Sequence, residues 1–328
     1  MRAKKDKIAI IGAGIIGLTT ALEAQGVGYR DVTIYSDKKP LQTTSAKAGA
    51  VFEPYRPGNM GTQEMLSYLK VGLKKYEEII TKNSESRTGM RHHDHYSTST
   101  KLLVPSEISF LPAFDKWKLI TSSNIPGGYK SAIFFESIPF VDPTKALPWL
   151  LRKFIKAGGK IKYLKHKIDD LEKFVKEIPQ NIIFNCTGLG AKKLLDDKEL
   201  RPMRGQIIII NNKFHDWSVL GDDGFYVFPR RTETILGGTT EIDEWEEETT
   251  AGAMERIFTN AKRVIPKLRK KDILRVYAGL RPYRASGAKI ALNKVSGKKH
   301  VQSIGFGGSG WTFCWGAAER AVLLAVDN

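Results

Sequence analysis

Apolar residues recur along this chain in two rhythms, one fitting buried strands and one fitting helices. Lys7-Ile8-Ala9-Ile10-Ile11 is a short apolar run of the kind a parallel strand buried on both faces requires. Leu18 to Gln25 has helical spacing and stops near Gly26 and Gly28. Val32-Thr33-Ile34-Tyr35 is a second strand, closed by Ser36-Asp37, so the first 37 residues predict one βαβ unit. Leu66 to Ile80 repeats its apolar residues at helical spacing and keeps Lys70, Lys74 and Lys75 outside. Residues 81–100 are polar and irregular and predict a solvated loop. Phe134–Val141 is extended, and Asp142-Pro143 opens a helix that runs through Ile155 to Gly158-Gly159. Lys160–Leu164 and Asn181–Asn185 are strands, the second running into Cys186-Thr187-Gly188-Leu189-Gly190. Ile207–Asn211, Phe225–Pro229 and Thr234–Gly238 follow one another with no helix between them, which predicts an antiparallel sheet. Ala253–Arg263 is a helix and Ile273–Tyr277 a strand. A last helix runs from Trp311 into the 320s.

The order of these elements predicts an α/β chain of two interleaved domains. Parallel, nucleotide-binding pieces occupy 1–58, 140–195 and 290–328, and antiparallel pieces occupy 59–139 and 196–289. A length of 328 residues suits two domains with a sizeable core. At 41% apolar and 10% aromatic residues the chain is neither disordered nor collagen-like. No apolar run reaches the ~20 residues of a membrane span. The basic N-terminus (Arg2, Lys4, Lys5, Lys7) is not read as a secretory signal, because Gly12, Gly14 and Gly17 interrupt the apolar run behind it.

Charge changes the picture less than its size suggests. Lys+Arg number 52 against 35 Asp+Glu, a net charge of +17. The lysines lie in scattered pairs, such as Lys38-Lys39 and Lys298-Lys299, with no basic segment interleaved with aromatics. That predicts a solvated surface and no nucleic-acid partner. Cys186 and Cys314 sit among apolar and glycine neighbours and form no CxxC pair, so reduced, buried thiols are expected. His92, His93 and His95, with Asp94, are candidate metal ligands by residue type, but adjacent histidines on a loop lack the usual ligand spacing, and no metal is expected.

Gly12-Ala13-Gly14-Ile15-Ile16-Gly17 carries the first chemistry. It follows a strand, opens a helix, and precedes an acid, Asp37, by about 20 residues, the context a dinucleotide fingerprint demands. Gly12 permits the tight turn, Gly14 the approach of a pyrophosphate and Gly17 the helix–strand contact. The helix end supplies N–H donors and positive charge to the phosphates. Thr43-Thr44-Ser45 and the small residues to Gly49 extend that cradle. Gly305-Phe306-Gly307-Gly308-Ser309-Gly310 is a second glycine-rich loop opening a helix, at the far end of the chain.

Taken in order, these motifs resemble the D-amino-acid oxidase and D-aspartate oxidase family. The resemblance is carried by residues 10–18, Thr43-Thr44-Ser45, Asn185-Cys186-Thr187-Gly188, Arg204-Gly205-Gln206, Gly279-Leu280-Arg281-Pro282-Tyr283-Arg284, and Gly305 to Thr312 with Trp315-Gly316. Residues 81–135 match poorly. The resemblance implies an FAD-binding Rossmann-like domain interleaved with an antiparallel substrate domain. It also implies oxidation of a D-amino acid by hydride transfer to flavin N5, with oxygen as acceptor and hydrogen peroxide, a 2-oxo acid and ammonia as products. The cofactor contacts it implies are Gly12 to Gly17, Ser36, Asp37, Thr43, Thr44, Ser45, Gly49, Ile168, Thr187, Gly188, and Gly307, Gly308, Ser309, Gly310, Trp311 and Thr312. Arg281 matches the arginine that grips the substrate carboxylate, where a planar guanidinium makes a bidentate, charge-assisted pair. Tyr226 matches the tyrosine whose hydroxyl donates to the same carboxylate. Gly308 matches the glycine whose carbonyl accepts from the amine, and Tyr55 an aromatic position at the pocket entrance.

Substrate preference rests on two departures from the family pattern. D-aspartate oxidases usually carry an arginine just after Gly-Gly-Thr, whereas Gly237-Gly238-Thr239 is followed here by Thr240 and Glu241. Glu53 stands where broad-specificity members have a neutral amide. It is either a pocket carboxylate favouring cationic D-amino acids or a surface residue paired with Arg56. The expectation is broad activity on neutral to basic D-amino acids, against D-aspartate oxidase and glycine or sarcosine oxidase as alternatives. The expected partners are a D-amino acid and molecular oxygen, with no membrane, and a homodimer is left open. A cytoplasmic location is expected, with the peroxisome as alternative although Ala325-Val326-Asp327-Asn328 is not a Ser-Lys-Leu type address.

Overall fold

The computed structural model describes residues 4–122, 124–211 and 214–326. Arg2 and the terminal pair Asp327-Asn328, read above for targeting, lie outside them. In chain order the elements begin β1 (Lys4–Ile11), α1 (Ile15–Gly26), β2 (Tyr29–Ser36), α2 (Thr62–Lys82), α3 (Glu85–Thr88) and β3 (Met90–Ser99). There follow β4 (Trp117–Ile120), β5 (Ser131–Val141), α4 (Pro143–Lys156), β6 (Lys160–Tyr163), α5 (Leu171–Glu177), β7 (Ile182–Asn185) and α6 (Ala191–Leu194). The remainder is β8 (Arg201–Asn211), β9 (Trp217–Gly221), β10 (Tyr226–Pro229), β11 (Glu233–Gly237), β12 (Glu241–Ile242), α7 (Ala251–Val264), β13 (Ile273–Tyr283), β14 (Lys289–Val295), β15 (Lys298–Ile304) and α8 (Gly310–Val326).

The chain divides into two compact units. The first contains the described residues of Met1–Gly89, Pro143–Pro202 and Arg281–Asn328, and the second those of Met90–Asp142 and Met203–Leu280. Residues 59–89, 196–202 and 281–289, assigned above to the substrate region, therefore lie in the first unit. For α2 the cause is side-chain packing. Its Tyr76 hydroxyl donates to Trp311 O at 2.8 Å, and Gly316 leaves room for Tyr68 Cα, which a methyl group there would meet at 2.3 Å.

A sheet ordered β14-β15-β7-β1-β2-β6 forms the first unit's centre, parallel except for the edge strand β14. Ile8 stands between Val32 and Ile182, all three buried, which explains why the β1 run is continuously apolar. Helix α1 packs on α8, where Thr19 Oγ1 donates to Cys314 O at 3.1 Å. The β14–β15 hairpin carries little sequence signal. Its strands are rich in lysine, and the Ser296-Gly297 turn between them is its only short-range signal.

The second unit is built on a sheet ordered β12-β8-β11-β10-β9-β3-β5-β4, with β13 on β8. Antiparallel pairing of β10 with β11 and of β11 with β8 agrees with the expected meander. Helix α7 covers one face through Ile257, Phe258, Ala261 and Val264, packed on Ile208, Ile210, Val219, Val227 and Leu236. Strand alternation sends Tyr226 and Phe228 to the other face, where their rings stack 4.4 Å apart. Residues 90–99 are a strand in this sheet and not the solvated loop predicted above. His93 and His95 are buried against aromatic rings, His93 4.9 Å from Phe140 and His95 6.2 Å from Phe135. The described residues contain no cluster of histidine, cysteine and acid side chains able to hold a metal ion. No helix among them is long and apolar enough to cross a membrane.

Candidate active site

Local backbone demands explain the first glycine motif. Gly12 has φ +109°, and its N–H donates to Tyr35 O at 2.8 Å. A Cβ there would strike Cys186 O at 2.6 Å, and one on Gly17 would strike Gly12 O at 2.0 Å. These two glycines let β1, α1 and β7 close on one another. Gly14 is the N-cap of α1, with no side-chain cap and no acid in the first turn. Ser45 Oγ accepts the Ile15 N–H at 3.0 Å.

The second glycine loop arrives at the same place. A Cβ on Gly310, the first residue of α8, would lie 3.8 Å from Ile15 Cγ2, and Trp311 Nε1 donates to Ser45 O at 2.9 Å. Residues 12–17, 43–45 and 307–312, far apart in sequence, thus meet in the first unit. The first turns of α1 and α8 both lack an acid, so neither positive helix end is neutralised from within its own first turn. A helix end capped by a glycine with no side chain of its own, beside the hydroxyls of Thr43 and Ser45, fits the phosphates of a dinucleotide.

The other expected contacts differ in how they are engaged. Asp37 is exposed at the end of β2, whereas Ser36 Oγ is taken up by Lys38, accepting from its N–H at 3.2 Å and donating to its carbonyl at 2.8 Å. Asn185 Oδ1 accepts from Thr187 Oγ1 at 2.7 Å and so shapes the turn after β7. Gly188 has φ +55° and lies beside the Pro282 ring. Ile168 packs with the core formed by Leu171, Val175 and Ile178, and Gly49 is half-buried. Ala13 and Ile15 are buried, and Ile16 half-buried. Thr43 Oγ1 donates to Pro40 O at 2.7 Å, and Thr44 is exposed.

Three of the four expected substrate residues come together in the first unit. The Arg281 guanidinium carbon lies 5.4 Å from the centroid of the Tyr55 ring, in cation–π range. Gly308 backs the same ring, since a Cβ there would meet Tyr55 Cδ1 at 2.5 Å. Tyr226 belongs to the second unit, where it pairs with Gly237 across β10 and β11, and any Cβ on Gly237 would overlap its ring. Glu53 is buried, 6% exposed, so it is not a surface residue. Glu241, the residue in place of an expected arginine partner for D-aspartate, pairs with Arg204 and accepts from Gln206 Nε2 at 3.1 Å. Burial pushes the Cys186 and Cys314 thiols up to about 12, so neither supplies a thiolate near neutrality.

Two side-chain roles escaped the sequence. Ser309 Oγ bonds the backbone of Tyr55, and Thr312 Oγ1 donates to Glu53 O at 2.9 Å. Nothing local marks pairs more than 250 residues apart.

The family model described as FAD dependent oxidoreductase matches residues 7–324. The D-amino-acid oxidase of Streptomyces coelicolor is 29% identical, covering 98% of this chain and 97% of its own length. That of Dictyostelium discoideum is 30% identical, covering 99% of this chain and 92% of its own. Among solved structures, glycine oxidase from Bacillus cereus superposes with a TM-score of 0.79 over 98% of this chain and 95% of that one, at 15% identity, a likeness of fold. The chain belongs to the family of FAD-dependent oxidoreductases. It is a flavin enzyme, FAD is its cofactor, and its relatives from Streptomyces and Dictyostelium carry the name D-amino-acid oxidase.

Proposed function

We propose that this protein oxidises neutral to basic D-amino acids, with oxygen and water, to 2-oxo acids, ammonia and hydrogen peroxide. The observation that carries the reading is the half-buried Arg281 guanidinium over the Tyr55 ring, with Gly308 against that ring, in the same unit as the glycine cradle. In this reading the first unit holds FAD. FAD, when bound, accepts a hydride at N5 and passes the electrons to oxygen.

Arg281 holds the substrate carboxylate by its planar fork, a contact a lysine ammonium does not reproduce. The Gly308 carbonyl accepts from the substrate amine. No side chain is assigned as acid or base: once the amine has lost its proton, its lone pair drives the Cα–H out as hydride. Catalysis is then mostly orientation. Fixing carboxylate and amine leaves one enantiomer with its Cα–H directed toward the acceptor, which selects D over L. The first turn of α8, free of acids, would favour negative charge on a cofactor group held against it.

Two observations support the substrate class. Thr240 and Glu241 follow Gly237-Gly238-Thr239, where D-aspartate oxidases usually carry an arginine, and Glu241 is engaged by Arg204. Glu53, the acid in place of a neutral amide, is buried two residues from Tyr55. A peroxide-coupled assay with D-alanine, D-arginine, D-aspartate, L-alanine and N-methylglycine tests both. D-alanine and D-arginine should outrun the rest. A clear preference for D-aspartate would overturn the substrate class, and preference for L-alanine or N-methylglycine the whole assignment.

A further inference from the structure

We infer that Ser309 is a positioning residue: its hydroxyl clamps the backbone of Tyr55, and through that ring sets the place of Arg281. This rests on the proposed reading of Arg281 as the carboxylate-binding residue. Ser309 is wholly buried, 0% exposed. Its Oγ donates to Tyr55 O at 3.0 Å and accepts from Tyr55 N at 2.8 Å, so one side chain closes both polar groups of one peptide residue. The single hydroxyl hydrogen is thereby committed to the protein.

The clamp is part of a longer seat. Three residues on, Thr312 Oγ1 donates to Glu53 O at 2.9 Å. Gly307 and Gly308 let the same segment lie directly on the loop, since Cβ atoms there would meet Arg56 O at 2.4 Å and Tyr55 O at 2.8 Å. Residues 53–56 therefore run as a strap along 307–312. The strap presents the Tyr55 ring, and the Arg281 guanidinium lies over it at 5.4 Å. A strap loosened at Ser309 moves the ring, and a guanidinium supported by the ring loses its aim at a carboxylate. A side chain serving only the cofactor would not need both polar groups of Tyr55.

The test uses the FAD-loaded enzyme and its Ser309→Ala variant. KM for D-alanine, and the Kd of benzoate read from the shift of the flavin visible spectrum, should both rise roughly 5- to 30-fold, the effect of one to two net hydrogen bonds. The kcat, measured on the FAD-loaded protein, should change much less. In a Tyr55→Leu background the same serine change should add little, because the residue it positions is already gone. Unchanged KM and benzoate affinity would overturn the clamp, as would full additivity with Tyr55→Leu. So would loss of flavin with undiminished benzoate affinity in the loaded fraction, which would make Ser309 part of the cofactor cradle alone. If the wild-type enzyme neither oxidised D-alanine nor bound benzoate, the reading of Arg281 would fall and take the inference with it. Wild-type activity beside an indifferent Ser309→Ala would overturn the inference alone.

Discussion

Replacing Gly308 by alanine asks how closely the substrate residues are fitted to one another. The new methyl carbon would lie 2.5 Å from Tyr55 Cδ1 and 2.8 Å from Tyr55 O. Ordinary carbon contacts are ~3.5–4.0 Å, so the two segments must part by about 1 Å. The strap has little freedom to yield, because Ser309 holds Tyr55 N and O at 2.8 and 3.0 Å. Overpacking of this kind costs about 1–3 kcal/mol of stability. Its effect on turnover is larger if the geometry matters, since a displacement of ~1 Å at a reacting centre can cost roughly 10²-fold. Gly308→Ala should therefore lower kcat/KM for D-alanine by about that factor, read by peroxide release. Gly26→Ala is the control: nothing lies within 4 Å of its Cβ, and it should leave kcat/KM unchanged. Stability should rise there by ~0.4–1 kcal/mol, because alanine restricts the unfolded chain. A Gly308→Ala enzyme with wild-type kcat/KM would refute the assignment of this glycine.

Arg281→Met removes the guanidinium and should reduce kcat/KM by about 10²–10⁴-fold, two charge-assisted bonds at ~1.5–3 kcal/mol each. Arg281→Lys should fall between it and wild type, and a methionine variant with unaltered KM would exclude Arg281 from carboxylate binding. Acid stability should be controlled by two buried histidines. Burial lowers the His93 pKa to about 3 and that of His300 to about 4, both below the ordinary 6.5. The unfolded chain then takes up their protons first, so stability is complete above about pH 6.5 and declines as pH falls toward 4 and 3. The slope reaches about 1.4 kcal/mol per pH unit per histidine. Denaturant unfolding at pH 7.5 and 5 measures it, and a flat profile would contradict the assignment. Neither His93 ring nitrogen has a hydrogen-bond partner among the described residues. His93→Leu should accordingly cut that slope by about half at little cost in stability at pH 7.5. A slope left at its wild-type value would count against His93.

What could be read from the chain alone was local. The turn at Gly12, the helix opened at Gly14 and the apolar strands 7–11 and 182–185 follow from backbone sterics and burial within a dozen residues. They suffice for a nucleotide fold and, with the ordered motifs, for the family. Elements whose residues hide their partners are not legible locally: six of the ten residues of β3 are histidine, serine or threonine, and β14 and β15 each carry two lysines. Only the folded sheet shows that His93 faces Phe140. The place of α2 in the first unit is hidden for the same reason, since its partner α8 lies more than 200 residues downstream. The contacts among Arg281, Tyr55, Gly308 and Ser309 also belong to tertiary structure. A hydroxyl and a peptide 254 positions apart have no periodicity to reveal them, and they meet only when the strap and the second glycine loop are packed side by side.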